Sequence, residues 1–333
     1  QRSDGRMKNS ISVIVPTHDR PESLGRTVRS VLDQSRLPDE LIIVNDGDEE
    51  IPADIAEAVS KAGVRFIYRR RERPSLPASR NAGIDASSSD ILAFLDDDVE
   101  LGRDFLAEIS DMYNADTDGR VDGIGAVGTD MGIGLVSGNR KPDGAKNSLW
   151  SIRLWDVLVF LTAHTRWLPR RCLARSVHLP PRLRYRLIPA KFLTGGRISV
   201  RRRVVESVRF NEGFTGYAVA EDRDFSYRAT QQFAMFVAPS LKLIHHCERA
   251  SRPDSFAWGR MMATNHIRVA ADALEPGAGK WTLLAWDLAG MILVHAVYSV
   301  IGDRKFHAGM ARGLLAGAAR AAADAVKRQL CAC

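Results

Sequence analysis

Three carboxylates in a row, Asp96, Asp97 and Asp98, follow directly on the apolar run Ile91–Leu95. Side by side they repel one another. A hard divalent cation relieves that repulsion, because Mg²⁺ or Mn²⁺ prefers oxygen ligands and bridges carboxylate to diphosphate. A solvated acidic turn is the plainer alternative. A second acidic cluster, Glu221, Asp222 and Asp224, opens a helical stretch that continues past Arg228. Acidic residues in a first helical turn also serve as partners of the helix dipole. Thr194, Gly195 and Gly196 allow a close backbone approach and could floor a ligand pocket. His245 and His246, at the end of an apolar run, offer imidazole nitrogens as ligands.

The elements that must position these residues alternate. Ile11–Val15, Leu41–Val44, Val64–Tyr68 and Ile91–Leu95 read as strands, the first ending at Pro16. Between them Leu24, Val28, Val31 and Leu32 recur at helical spacing, and Ile55–Ala62 and Ala78–Ala86 read as helices. Strands separated by helices imply parallel units with helices on both faces of a sheet. Ligands gather beyond the carboxyl ends of such strands. Thr17-His18-Asp19, Asn45-Asp46 and the Asp96–Asp98 triplet all fall at that rim. Further on, Asp104–Asn114 predicts a helix, Ile124–Val127 a strand, Gly128–Gly144 a loop and Ser148–Leu168 a helix. Phe192–Val200 predicts a strand, Glu221–Gln232 a helix, Phe233–Val237 and Leu241–His245 two short strands, and Asp254–Leu274 a helix. Trp281–Ile301 is almost wholly apolar, and Lys305–Leu330 is an alanine-rich basic helix.

The chain has 333 residues, 26% charged, with a formal net charge of +7. Wholesale disorder is excluded by that composition. Between Val157 and Val205 there is no Asp or Glu, while Arg166, Arg170, Arg171, Arg175, Arg182, Arg184, Arg186, Lys191, Arg197 and Arg201–Arg203 crowd the stretch. Such a block attracts anionic partners, or else is a solvated basic face. The four cysteines, Cys172, Cys247, Cys331 and Cys333, are too scattered for a disulfide framework or a spaced zinc site, so reduced thiols in a cytosolic setting are expected. Met7 is a natural start before the first strand, which leaves residues 1–6 as a tag or extension.

The ordered motifs resemble those of family 2 of the inverting glycosyltransferases, which have the GT-A fold. They are Ile11–Arg20 (ISVIVPTHDR), Ile43–Gly47 (IVNDG), Ser79–Gly83 (SRNAG), Phe94–Asp98 (FLDDD), Thr194–Gly196, Phe210–Phe214 (FNEGF) and Glu221–Asp224 (EDRD). The series covers roughly residues 7–270, and its order is specific where each motif alone is not. The resemblance implies a Rossmann-like α/β domain with a mixed, mainly parallel sheet, followed by a C-terminal helical region. It implies that Pro16, Thr17 and Asp46, with Asp19 beside them, hold the nucleotide end of a donor, that Arg80 contacts the nucleotide, and that Asp97 lies by the ribose and diphosphate. Asp98, closing the D-x-D pair with Asp96, would bind Mg²⁺ or Mn²⁺, with His245 or His246 near the metal. Asp222 matches the catalytic base, and Thr194, Gly195, Gly196 and Glu221 would line the acceptor side. Two positions depart from the pattern: Arg197 stands where Asn is frequent, and Asn211 where Asp is usual.

The function to be expected is sugar transfer. A nucleotide diphosphate sugar, a uridine diphosphate sugar first among them, would give its sugar to a hydroxyl of a glycan or lipid-linked acceptor by a single inverting displacement. Residues 7–120 would form the nucleotide-sugar half, 121–274 the acceptor half, and 275–333 a helical region. A dinucleotide oxidoreductase ranks low, because Pro16–Arg20 stands where G-x-G-x-x-G belongs. A phosphate or nucleotide-sugar hydrolase using the Asp96–Asp98 site, and a non-enzymatic polyanion- or membrane-binding module, are the alternatives. Trp281–Ile301 has the length of a membrane span, but Asp287 and His295 would be costly at its centre. With the basic block this predicts peripheral attachment to an anionic surface at the cytoplasmic side of the cell membrane, and no nucleic-acid partner.

Overall fold

The structure is a computed structural model and describes residues 9–130, 172–215, 217–248, 253–273, 277–301 and 304–331. These fall into two units: residues 9–130, 172–215 and 228–248 in one, residues 217–227 and 253–331 in the other. Residues 1–6, most of the Gly128–Gly144 loop, the Ser148–Leu168 helix, and Arg166, Arg170 and Arg171 of the basic block lie outside the described residues.

The first unit is built on the apolar runs. β1 (Ile11–Thr17), β2 (Glu40–Asn45) and β4 (Ile91–Leu95) are buried along their whole length, as strands covered on both faces must be. β3 (Arg65–Arg70), at the sheet's edge, is half-buried and basic. Helices α1 (Pro21–Leu32), α2 (Asp54–Lys61) and α3 (Leu76–Ala86) connect these four parallel strands. On one face Val13, Val15, Leu41, Ile43, Ala93 and Leu95 pack with Leu24, Val28 and Val31 of α1 and with Phe105, Leu106 and Ile109 of α4 (Phe105–Ala115). Each such fully buried aliphatic side chain is worth about 1.5–3 kcal/mol. α3 covers the opposite face, where a Cβ on Gly83 would collide with Ile14.

The sheet continues with β8 (Arg197–Arg201) antiparallel to β4, then β6 (Gly123–Asp130), β9 (Met235–His245) and the short β5 (Val99–Leu101), giving the order β3-β2-β1-β4-β8-β6-β9-β5. β5 pairs antiparallel with the end of β9, and β7 (Ile188–Pro189) with its start. α5 (Arg202–Ser207) follows β8.

Several boundaries differ from the sequence reading. β1 runs through Pro16 to Thr17, because its ladder with β4 stops at Ile14 and nothing on that side needs the missing proline N–H. Only residues from Arg197 onward make a strand, since Gly196, at φ 63, breaks the extended backbone. The two short strands expected around Pro239 are one strand, in which a register shift against Ala126 and Val127 absorbs the irregularity. The helix expected over Glu221–Gln232 ends at Ala229.

In the second unit, α6 (Glu221–Ala229) begins, and α7 (Ser255–Ala273), α8 (Ala278–Ile301) and α9 (Arg304–Cys331) follow. Gly309, Gly313 and Gly317, four apart and so on one face of α9, leave no room for a Cβ against the Ser255, Phe256 and Arg260 turns of α7. The two backbones therefore touch. α8 turns Lys280, Leu284, Asp287 and Leu288 inward and leaves Trp281, Trp286, Leu293, Val297 and Val300 exposed. It is long and apolar enough to cross a membrane, with a mean hydropathy of 1.6 over Gly279–Val300.

Candidate active site

Three parallel strands end side by side, and each carries its polar residues past the last apolar one. At the end of β2, Asp46 is buried; its Oδ2 accepts hydrogen bonds from the Ser75 N–H at 2.8 Å and the Ser79 hydroxyl at 2.7 Å. His18 Nδ1 stands 3.2 Å from its other oxygen. Asp19 adopts a left-handed backbone, φ 51, and accepts the Glu49 N–H at 2.9 Å, a bond that holds its carboxyl below the usual carboxylate range. A Cβ on Gly47 would occupy that same place.

At the end of β1, the Thr17 hydroxyl donates to Asp97 Oδ2 at 2.8 Å. Arg20 Nη1 lies 3.2 Å from Asp97 Oδ1 and 3.8 Å from Asp98 Oδ2. Burial pushes the Asp97 carboxyl up to about 6 against the opposing charge of Arg20. Asp98 is also buried, yet its carboxyl is held below the ordinary value. The hydrogen bond and charge of His245, the charge of Arg20 and the Glu248 N–H outweigh its desolvation.

Asp96 is half-buried. Its N–H donates to the Gly196 carbonyl at 3.2 Å, and its Oδ1 meets Arg80 Nη2 at 3.1 Å. Arg80, on α3, is 1% exposed and lies over the Phe210 ring at 5.2 Å. Phe210 is fixed in turn by Asn81, whose amide bonds the Phe210 carbonyl at 2.9 Å and Glu212 at 2.8 Å. Asn211 caps the adjoining turn by accepting the Gly213 N–H at 3.0 Å.

β9 brings in the histidine. His245 pairs with Val99 in the β5–β9 ladder, and its Nε2 is 3.0 Å from Asp98 Oδ1. Asp96, Asp98 and His245 thus offer ligand atoms that all lie within 4.8 Å of one another. His246 points to Glu100 instead, with Nε2 at 3.3 Å from Oε2. Two carboxylate oxygens and an imidazole nitrogen, with Arg20 and Arg80 as the neighbouring cations, form a donor set that fits Mg²⁺ or Mn²⁺. Thr194 is exposed beside Gly195 and Gly196, which are buried, the last against Asp96.

Glu221 and Asp222 open α6 in the second unit. Glu221 is 4% exposed; Asp222 is half-buried and accepts the Arg223 N–H at 2.8 Å. Arg223 Nη1 meets His266 Nε2 at 3.0 Å, and Asn265 bonds the Val219 carbonyl at 2.8 Å. Ala218 and Ala220, just before this turn, both have positive φ, 50 and 74. Non-glycine residues in that conformation cost energy and cluster at functional sites.

Pro16, Thr17, Asp19, Asp46, Arg80, Asp96, Asp97, Asp98, Gly196 and His245 all lie in the first unit, around the same strand ends. Sequence reasoning left out Arg20, which reaches two of the three carboxylates, and the turn Cys247-Glu248 that wraps Asp98. Arg20 stood in a recognised motif; for the turn at Cys247 the sequence carries no signal, because a cysteine does not announce a left-handed backbone.

Residues 12–134 match the family model described as Glycosyl transferase family 2. A glucosyl-dolichyl phosphate glucuronosyltransferase of Haloferax volcanii is 31% identical over 112 residues, which cover 34% of this chain and 36% of that protein. The chain spans about a third or less of the length of the curated relatives it matches. Among solved structures, the mannosyltransferase PcManGT from Pyrobaculum calidifontis, in complex with GDP-Man and Mn²⁺, superposes with a TM-score of 0.55 at 13% identity, covering 96% of this chain and 88% of that one. S. aureus TarS 1–349 in complex with UDP-GlcNAc gives a TM-score of 0.51 at 16% identity, covering 87% and 75%. At such identities the likeness is one of fold. Residues 12–134 of this chain thus carry the sequence pattern of glycosyl transferase family 2, and the chain has the GT-A fold.

Proposed function

We propose that this protein moves a sugar from a nucleotide diphosphate sugar to an acceptor hydroxyl with inversion at the anomeric carbon, and that it needs Mg²⁺ or Mn²⁺ to do so. The observation that carries the reading is the convergence of Asp96, Asp98 and His245 at the strand ends of a family 2 chain. A cation held there supplies charge stabilisation to the leaving diphosphate. The chain's own residues do the rest. Asp46, fixed by Ser75 and Ser79, and Thr17 and Pro16 bound the nucleotide end; Asp97 takes the ribose side. Arg80, buried and stacked on Phe210, holds Asp96 in place and adds a fixed positive charge. Asp222 accepts the acceptor proton, Glu221 orients its turn, and Thr194, Gly195 and Gly196 serve the acceptor side.

For the donor we favour a uridine diphosphate sugar. A thermal-shift screen of UDP-, GDP- and dTDP-sugars with and without Mn²⁺ tests both statements. Stabilisation by a UDP-sugar only when Mn²⁺ is present is expected. Stabilisation by GDP-mannose alone would replace the base, and metal-independent stabilisation would remove the cation. Product anomeric configuration by NMR then tests inversion.

The acceptor in this reading is a lipid-linked or growing glycan, met at the inner face of the cell membrane. Support comes from α8: its charged residues Lys280 and Asp287 are turned inward, while Trp281, Trp286, Leu293, Val297 and Val300 face out. Exposed Arg304, Lys305, Arg312 and Arg320 on α9 supply positive charge. That distribution suits a helix lying in the interface rather than spanning it. Flotation with anionic vesicles should recover the protein, less so at high salt and less so for Trp286→Ser. Absence of flotation on any vesicle would reject attachment.

A further inference from the structure

We propose that Cys247 is a positioning residue for His245, setting the imidazole in the orientation that a divalent cation at Asp96 and Asp98 requires. The proposal rests on the reading of Asp96, Asp98 and His245 as metal ligands and goes beyond it.

Residues 245–248 wrap Asp98 from three directions. His245 Nε2 stands 3.0 Å from Asp98 Oδ1, the His246 N–H donates to the Asp98 carbonyl at 2.9 Å, and the Glu248 N–H donates to Asp98 Oδ2 at 3.0 Å. From α1, Arg26 pairs with Glu248 and ties the end of the wrap. The bend that makes this possible is at Cys247, whose φ is 55. A left-handed backbone costs an L residue about 1–2 kcal/mol, and glycine would adopt it without that cost. This position carries a side chain nonetheless, and the bend brings it back to the ring two residues earlier, Sγ to His245 Nδ1 at 3.5 Å.

That contact is on the nitrogen away from Asp98. A ligating histidine needs its other ring nitrogen anchored, and loss of such anchors lowers metal affinity. A thiol can serve in both forms of the ring, because it donates weakly and accepts weakly. With Nε2–H donated to the Asp98 carboxylate, Nδ1 is an acceptor and takes the S–H. Ligation through Nε2 requires that nitrogen without its proton; the ring proton then sits on Nδ1 and Sγ accepts it. In neither form does the ring lose its second partner, so its plane stays fixed while the proton changes place.

The test uses the full chain and Mn²⁺ alone, with free Mn²⁺ read by electron paramagnetic resonance. Cys247→Ala should weaken Mn²⁺ binding about 10-fold, while Cys247→Ser, which keeps a donor and acceptor, stays within about 2-fold. Cys247→Gly relaxes the backbone and removes the thiol; it should melt no lower than the parent and still bind weakly. That variant keeps the test open should the alanine variant fold poorly. Parent-like Mn²⁺ affinity in Cys247→Gly or in a folded Cys247→Ala would overturn the proposal. A thiolate-to-metal absorption band on loading the parent with Co²⁺ would also overturn it, by making Cys247 a ligand. His245→Ala separates the two readings. If it leaves Mn²⁺ affinity unchanged, the metal-ligand assignment itself fails; if it weakens binding where Cys247→Gly does not, only the positioning role fails.

Discussion

Gly196 is packed against the carboxylate of Asp96, its carbonyl accepting the Asp96 N–H at 3.2 Å, and no Cβ fits between the two. Two constraints meet at this glycine, since its φ of 63 is also one that L side chains rarely adopt. Gly196→Ala should therefore cost about 1–3 kcal/mol in denaturant unfolding and displace Asp96 from Arg80, weakening Mn²⁺ binding. Serine at the neighbouring Gly195 would be a poor control, because that residue is buried too; Thr194→Ala, at an exposed position, should leave both quantities unchanged.

Asp98 is the carboxylate that most of the local structure is arranged to keep ionised. Asp98→Asn retains shape and removes charge, so it should abolish transfer and donor binding together; the chain should still fold, at a lower melting temperature because His245 and Arg20 lose their ionised partner. Chelator should mimic the substitution in the parent. Full transfer in excess chelator would contradict the assignment.

The parallel half of the sheet was legible because a strand buried on both faces has to be a continuous apolar run. Ile11–Val15, broken only by Ser12, Leu41–Val44 and Ile91–Leu95 are such runs, and the polar residues after each fall together at the rim. The antiparallel half was less so. Val99–Leu101 is too short to announce itself, and it exists because β9 is there to pair with it. The choice between His245 and His246 was equally closed to sequence. Successive residues on a strand point to opposite faces, and only the pairing of His245 with Val99 fixes which face meets Asp98. Positive φ at Ala218, Ala220 and Cys247 has no residue-type signature, unlike that at Asp19, whose side-chain type tolerates the left-handed region.

Between α8 and α9, His295 Nδ1 lies 2.9 Å from His307 Nδ1, with Phe306 edge-on to the His295 ring and Tyr298 stacked on His307. Burial, and then His307, push the His295 imidazole down from 6.5 to about 4. An unfolded chain takes up this proton below about 6.5 and the folded one only near 4, so the unfolded state binds more protons throughout that window. Stability contributed here is complete above pH 6.5 and is lost as the pH falls toward 4. Melting followed by circular dichroism should fall across that interval, and His295→Gln should flatten the fall. An identical slope in the variant would remove His295 as its source.

In the proposed mechanism Glu221 and Asp222 are the two candidates for the base, and their surroundings differ. Adjacent positions on a helix point about 100° apart, so only one of them can meet an acceptor hydroxyl. Glu221 is buried at 4% exposure, whereas Asp222 is half-buried at the first turn of α6, where its Oδ1 accepts the Arg223 N–H at 2.8 Å. A base must be reachable by the group it deprotonates, and that favours Asp222. Asp222→Asn keeps the shape and the backbone bond but removes the proton acceptor. Turnover should fall by ~10²-fold or more while donor affinity changes little, since the proposed donor contacts do not include this carboxylate. A metal ligand behaves differently, losing donor affinity as well, which separates Asp222 from Asp98. Glu221→Gln should retain most of the turnover, because a buried amide can replace a carboxylate that orients its turn. Both variants should be measured at saturating Mn²⁺, with single-turnover rates alongside donor titrations. If Glu221→Gln is inactive and Asp222→Asn turns over near the parental rate, the two roles are exchanged.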